Sequence, residues 1–109
     1  MSNVYIMVAQ NQQLKYSFAK IGVARDIESR IKQLQTGCPF KIGTAFGVKF
    51  DDEKLAYRVE AAIHKILESN NTHGEWFMYD PDAIWDAFDI VFGVLGVELK
   101  MFRVGESDG

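Results

Sequence analysis

Two clusters of polar residues border apolar helical stripes in this sequence, and their types suit phosphate chemistry. Arg30 follows Ile27 by three positions and precedes Leu34 by four, so it stands at the edge of a stripe. A guanidinium held there can grip a phosphate through two parallel N–H bonds. The plainer alternative is an arginine whose stem covers core edge while its head stays in water. Glu60 and His64 lie one turn apart further on. With Val59 as origin and about 100° per residue, the apolar stripe spans roughly −60° to +80°, with Glu60 at about +100° and His64 at about +140°. A lone carboxylate at such an edge suits Mg²⁺, which keeps most of its waters and takes few protein ligands. The alternative is a boundary Glu–His pair sharing an ordinary i,i+4 hydrogen bond.

Other chemistries find no support. The H-E-x-x-H zinc pattern and paired-cysteine sites are absent, and His64 with His73 would lack further ligands. There is no G-x-S-x-G, no Walker-type glycine loop and no G-x-G-x-x-G fingerprint. Cys38 follows a helix C-terminus in Thr36-Gly37-Cys38-Pro39 and reads as structural or incidental.

The elements that must position these residues follow from periodicity. Val4–Val8 is a short β-prone run, Gln10–Gln13 a polar tip, and Tyr16–Val23 a second strand, which together predict a hairpin. In that second strand Tyr16, Phe18 and Lys20 share one face, and Ala19, Ile21 and Val23 the other. Asp26 caps a helix of about ten residues carrying Ile27, Ile31 and Leu34, stopped by Gly37 and Pro39. Ile42–Phe50 reads as a third strand with Phe46, Val48 and Phe50 on one face. A second helix starts at Asp51 or Asp52 and runs to about Glu68, with Leu55, Val59, Ala62, Ile63 and Ile66 as its stripe. Asn70–Gly74 is a loop and Glu75–Tyr79 a short extended piece. Asp80-Pro81 opens a third helix with Ile84, Phe88 and Val91 inward. The alternation at Val97, Leu99 and Met101 predicts a last strand, and 105–109 a frayed tail. The fold class is therefore α+β: one domain over 1–104, with a mainly antiparallel sheet of three to four strands flanked by helices.

Composition agrees with a single globular domain: 109 residues, 48% hydrophobic and 25% charged, which excludes a disordered chain. One cysteine excludes an internal disulfide and predicts a reducing, cytoplasmic setting. The start Met1-Ser2-Asn3 lacks a basic leader, and the longest apolar run, Ile90–Val97, is too short to span a bilayer, so neither secretion nor a membrane is expected. The net charge of −3 conceals a split: residues 1–50 carry +5 and residues 51–109 carry −8. A basic face on an acidic body fits that division, with Arg25, Lys32 and Lys41 as substrate-binding candidates and DNA affinity that falls as salt rises.

Several motifs then fall in a recognisable order. Val4-Tyr5 in the first strand, Lys20-Ile21-Gly22 in the second, Arg30 eight residues after Gly22, and Glu60 in the second helix resemble the GIY-YIG nuclease superfamily. The similarity is closer to its small phage and bacterial branch, with Arg-x-x-x-Leu-Gln-Thr-Gly (Arg30–Gly37), Glu-x-x-x-His (Glu60, His64) and Gly-Glu-Trp-Phe (Gly74–Phe77). Lys20 stands where the wider superfamily has its second tyrosine, and Asn3 where it has a glycine. The likeness covers about residues 3–79.

That resemblance implies a metal-dependent endonuclease hydrolysing phosphodiester bonds in DNA, with RNA not excluded. Glu60 would hold one Mg²⁺ or Mn²⁺, and Arg30 would stabilise charge on the phosphate. Tyr5 would orient or deprotonate the attacking water, helped by Lys20, with His64 assisting proton transfer. Glu75 and Trp76 would support the site. Such modules are often tethered to a DNA-binding domain, so a homodimer or a separate specificity partner is expected. Two other readings stand beside it: a catalytically weak module that binds nucleic acid, and a protein-binding role in phage–host regulation.

Overall fold

In the computed structural model, which describes residues 1–11, 16–38 and 40–104, the central element is the strand with two apolar faces. β1 (Ser2–Asn11) alternates Val4, Ile6 and Val8 with Tyr5, Met7 and Ala9, and all six are buried. A strand that is apolar on both sides belongs in the middle of a sheet covered on both sides. β2 (Tyr16–Ala24) pairs along one edge of β1 and β3 (Lys41–Phe50) along the other. Short strands β4 (Asn71–His73) and β5 (Trp76–Met78) extend the sheet beyond β2, and β6 (Phe102–Val104) extends it beyond β3. The order is β4-β5-β2-β1-β3-β6, with every pair antiparallel.

Helices cover the two faces. Val4, Ile6 and Ile21 meet α2 (Glu53–Ile66) and α3 (Pro81–Leu95) through Val59, Ile63 and Phe88 in the larger core. On the opposite face Tyr5, Met7, Ala24 and Ala45 lie under Ile27, Ile31 and Leu34 of α1 (Ile27–Thr36). Each helix begins at an aspartate: Asp26 accepts from the Ser29 N–H, Asp52 from those of Lys54 and Leu55, and Asp80 from that of Ala83. α3 ends on Gly96 at φ 71°, where the Val97 N–H reaches back to the Phe92 carbonyl, a left-handed closure that favours glycine.

The α+β class, the three helices and the antiparallel sheet are as expected, but the sheet has six strands rather than three to four. The excess comes from short pieces. Asn71–His73, expected as loop, pairs with β5 across a tight turn at Gly74–Glu75. The last strand is Phe102–Val104 and not Val97–Met101: Leu99 and Met101 alternate because they lean on the core edge, without joining a ladder. α2 ends at Ile66, followed by a 3-10 turn at Glu68–Asn70. The residues Gln12, Gln13 and Pro39 and the tail 105–109 lie outside the described residues. Among the described residues no helix is long and apolar enough to cross a membrane.

The stripe of α2 is rotated from its expected centre, and this matters for the site. The buried residues are Ala56, Val59 and Ile63, continued by Leu67, while Ile66 is 42% exposed. Leu55, Ala62 and Ile66 instead line a shallow groove beside α3. The rotation turns Glu60 toward the sheet, where it is half-buried.

Candidate active site

The site forms where β2 runs out of neighbours. β5 pairs with β2 only from Phe18 to Lys20, so the outer edge of β2 beyond Lys20 needs other partners for its backbone groups. At Ile21 two different elements supply them. The Ile21 N–H donates to the Glu75 carbonyl at 3.2 Å, and its carbonyl accepts from His64 Nε2 at 2.8 Å. A carbonyl only accepts, so Nε2 carries the proton. One strand residue thereby brings the turn before β5 and the last turn of α2 to a single point.

Tyr5 lies behind that point. Its cross-strand partners are glycines on both sides, Gly22 in β2 and Gly47 in β3. A Cβ on Gly22 would fall 2.6 Å from the Tyr5 hydroxyl oxygen and 3.0 Å from Glu75 Oε1. The phenol ring and the Glu75 carboxylate therefore share space that only a glycine leaves open. Tyr5 is fully buried, and its hydroxyl has no hydrogen bond of good geometry. Burial, then the charge of Glu75, push its pKa up to about 12, while the nearby Arg30 guanidinium pulls it the other way. The phenol is thus protonated at neutral pH.

Lys20 lies on the same face of β2 as Gly22. Its Nζ is 3.1 Å from Glu75 Oε1 and 5.4 Å from the centroid of the Trp76 ring. Glu60, one turn before His64 on α2, has a carboxyl held above the usual range. Burial is the first cause and the charge of Glu75 the second, with His64 and Lys20 opposing them. A carboxyl whose proton affinity is raised by a neighbouring carboxylate is an oxygen donor that a cation would relieve. Among the described residues no three His, Cys, Asp or Glu side chains form a metal cage. The donor set fits a hard divalent ion that takes one or two carboxylates and keeps its waters. The His73 side chain lies outside the described residues.

Arg30 is half-buried and lines a polar cleft of about 370 Å³ between α1 and α2. Ser29 and Gln33 share its α1 wall, Arg25 and Asp26 its floor, and Glu53 and Tyr57 its α2 wall. Asn3 sits beneath, its Nδ2 donating to the carbonyls of Ala24 and Arg25 at 3.2 and 3.1 Å. The Asn3 side chain thereby ties down the β2–α1 turn.

The structure thus gathers Tyr5, Lys20, Arg30, Glu60, His64, Glu75 and Trp76 around one edge of β2. Arg25 borders the same cleft but pairs with Glu53 at 3.8 Å. Lys32 is exposed two positions from Arg30, on another side of α1. Lys41 lies six residues along β3 from Gly47, the partner of Tyr5, which is roughly 20 Å along a strand. Neither belongs to the cluster. Two bases of the positive first half, Lys20 and Arg25, are paired with acids of the second half, so folding intermixes the two charge blocks. Sequence reasoning placed Glu75 in support; its contacts make it a full member of the cluster. Tyr57 was missed altogether, although its position one turn before Glu60 was a usable signal.

A family model described as the T5orf172 domain matches residues 3–92. No curated protein and no solved structure matches the chain.

Proposed function

The chain belongs to the T5orf172 domain family, and from that premise we propose that it is a divalent-metal-dependent endonuclease acting on DNA by GIY-YIG-type chemistry. The observation that carries the reading is the meeting of Tyr5, Lys20, Arg30, Glu60 and Glu75 at the unpaired edge of β2. Hydrolysing a phosphodiester needs a cation on the non-bridging oxygens, an activated water, and groups to orient both.

Glu60 would hold the metal, with Glu75 close enough to share its charge. One Mg²⁺ or Mn²⁺ bound there supplies Lewis acidity and lowers the pKa of a bound water. Arg30 faces the cleft and takes the phosphate oxygens in a bidentate grip. Tyr5, its hydroxyl protonated and buried beside Arg30 and Glu75, orients the groups that face the phosphate and the attacking water. Lys20 holds the Glu75 carboxylate in place from the far side. The water oxygen bonds to phosphorus as the bond to the departing sugar oxygen breaks, the water giving its proton to bulk water and the sugar oxygen taking one from it.

His64 reads differently from the resemblance. Its Nε2 proton is committed to Ile21, so it acts by positioning α2 rather than by moving a proton through that nitrogen.

Supercoiled plasmid tests the proposal. Wild-type protein with Mg²⁺ or Mn²⁺ is expected to nick it, chelation to stop the reaction, and Arg30→Ala to slow it on the order of 100-fold. No nicking by the wild type, or equal nicking by Arg30→Ala, sinks the nuclease reading. A salt-dependent gel shift without cleavage would make the chain a nucleic-acid-binding module instead.

A further inference from the structure

Beside the catalytic cluster lies a second hollow of a different character. Its volume is about 430 Å³, and its walls carry Phe18 from β2, Phe40 from the segment before β3, and Trp76 from β5. The Phe18 and Phe40 rings stack with centroids 5.2 Å apart and planes 10° from parallel. Gln33 of α1 and Thr72 of β4 supply its polar atoms. Gln33 also lines the cleft that holds Arg30, so the two hollows adjoin at that side chain.

The spacing ties this hollow to the phosphate site. Phe18, Lys20 and Gly22 are alternate residues on one face of β2, so each step is roughly 7 Å. Along that row an aromatic wall, then a cation, then the space of the Tyr5 hydroxyl follow one another. A nucleotide presents the same sequence of groups: a flat base, then a sugar, then a phosphate. Flat aromatic walls stack on any base, and the Gln33 amide offers both a donor and an acceptor to a base edge.

We propose that this hollow receives an unpaired nucleobase next to the cleaved phosphate. The substrate is then nucleic acid with a single-stranded, bulged or otherwise distorted segment at that position. The inference rests on the nuclease reading and deepens it, because a fully stacked duplex cannot present the face of a base to Phe40 and Trp76 without extruding it.

Binding in metal-free buffer containing a chelator separates this inference from catalysis. The probes are a short single strand carrying one 2-aminopurine and the same strand in a perfect duplex. The wild type is expected to bind the single strand roughly 10-fold more tightly, with 2-aminopurine fluorescence quenched on binding. Phe40→Ala should abolish both effects while leaving duplex affinity unchanged, and Phe40→Tyr should retain them. If Phe40→Ala does not fold, Phe40→Leu keeps the apolar bulk without the flat ring and is expected to lose the quenching. Equal affinity for the two probes, or full quenching by a folded Phe40→Ala or Phe40→Leu protein, overturns the inference and leaves the nuclease reading standing. Failure to bind either probe overturns the inference, and plasmid cleavage then decides the nuclease reading on its own.

Discussion

His64 Nε2 donates to the Ile21 carbonyl at 2.8 Å, and that bond joins the last turn of α2 to the outer edge of β2. The imidazole also packs edge-on against Phe77, with centroids 4.9 Å apart. Glu60 reaches the sheet because His64, one turn later, is anchored there. His64→Ala is expected to cost about 1–2 kcal/mol by leaving the Ile21 carbonyl without its partner. Cleavage should fall further than stability alone explains, since Glu60 loses its positioning. Denaturant titration beside a cleavage assay at a temperature where the variant is folded would check both.

The Tyr5 hydroxyl separates function from stability. The hydroxyl has no hydrogen bond of good geometry, although Arg30 lies within reach of it, so Tyr5→Phe removes little that stabilises the fold. The variant is expected to be as stable as the wild type or more so, yet slower in cleavage on the order of 100-fold. Equal cleavage by the two proteins would remove Tyr5 from the reaction.

Glu60 gives the protein a pH dependence of definite sign. Its carboxyl binds a proton more tightly folded than unfolded, so the stability linked to it is fully present below the unfolded value, about 4.3. That contribution is lost as pH rises through the higher folded value. Glu60→Gln should therefore flatten the decline in unfolding temperature between about pH 4 and 7. Mg²⁺ should raise the unfolding temperature of the wild type at neutral pH and leave that of Glu60→Gln where it was. Thermal melts across pH, with and without the ion, read both effects.

Gly22 is the tightest point of the cluster. An alanine Cβ there would lie 2.6 Å from the Tyr5 hydroxyl oxygen and 2.8 Å from the ring carbon bearing it. The ring must move, which is expected to cost about 1–3 kcal/mol and to abolish cleavage. A crystal structure of Gly22→Ala should show Tyr5 displaced toward α1.

Much of this site was legible in the sequence, for reasons that differ by residue. The alternation in β2 set Lys20 on the face opposite Ala19, Ile21 and Val23, and the structure keeps that division because those three are buried in the larger core and tolerate no slip in register. Asp26, Asp52 and Asp80 marked the helix starts because capping is a local interaction. The role of Glu75 was not legible. Its contacts with Lys20 and Tyr5 depend on where β5 ends relative to β2, a long-range relation with no local sequence signature. The rotation of α2 was likewise hidden, because Leu55, Ala62 and Ile66 are as apolar as the residues that turn inward. Only the packing of α3 decides which of them remain at the surface.

The most direct measurement is single-turnover cleavage of supercoiled plasmid by Glu60→Gln in Mn²⁺, with the unfolding temperature of the same sample recorded. The substitution keeps the shape of the side chain and removes the charge that holds the metal. The result expected is a loss of at least about 100-fold in rate from a protein that melts no lower than the wild type. Undiminished cleavage by a folded Glu60→Gln protein would contradict the assignment of Glu60 as metal ligand, and with it the nuclease mechanism.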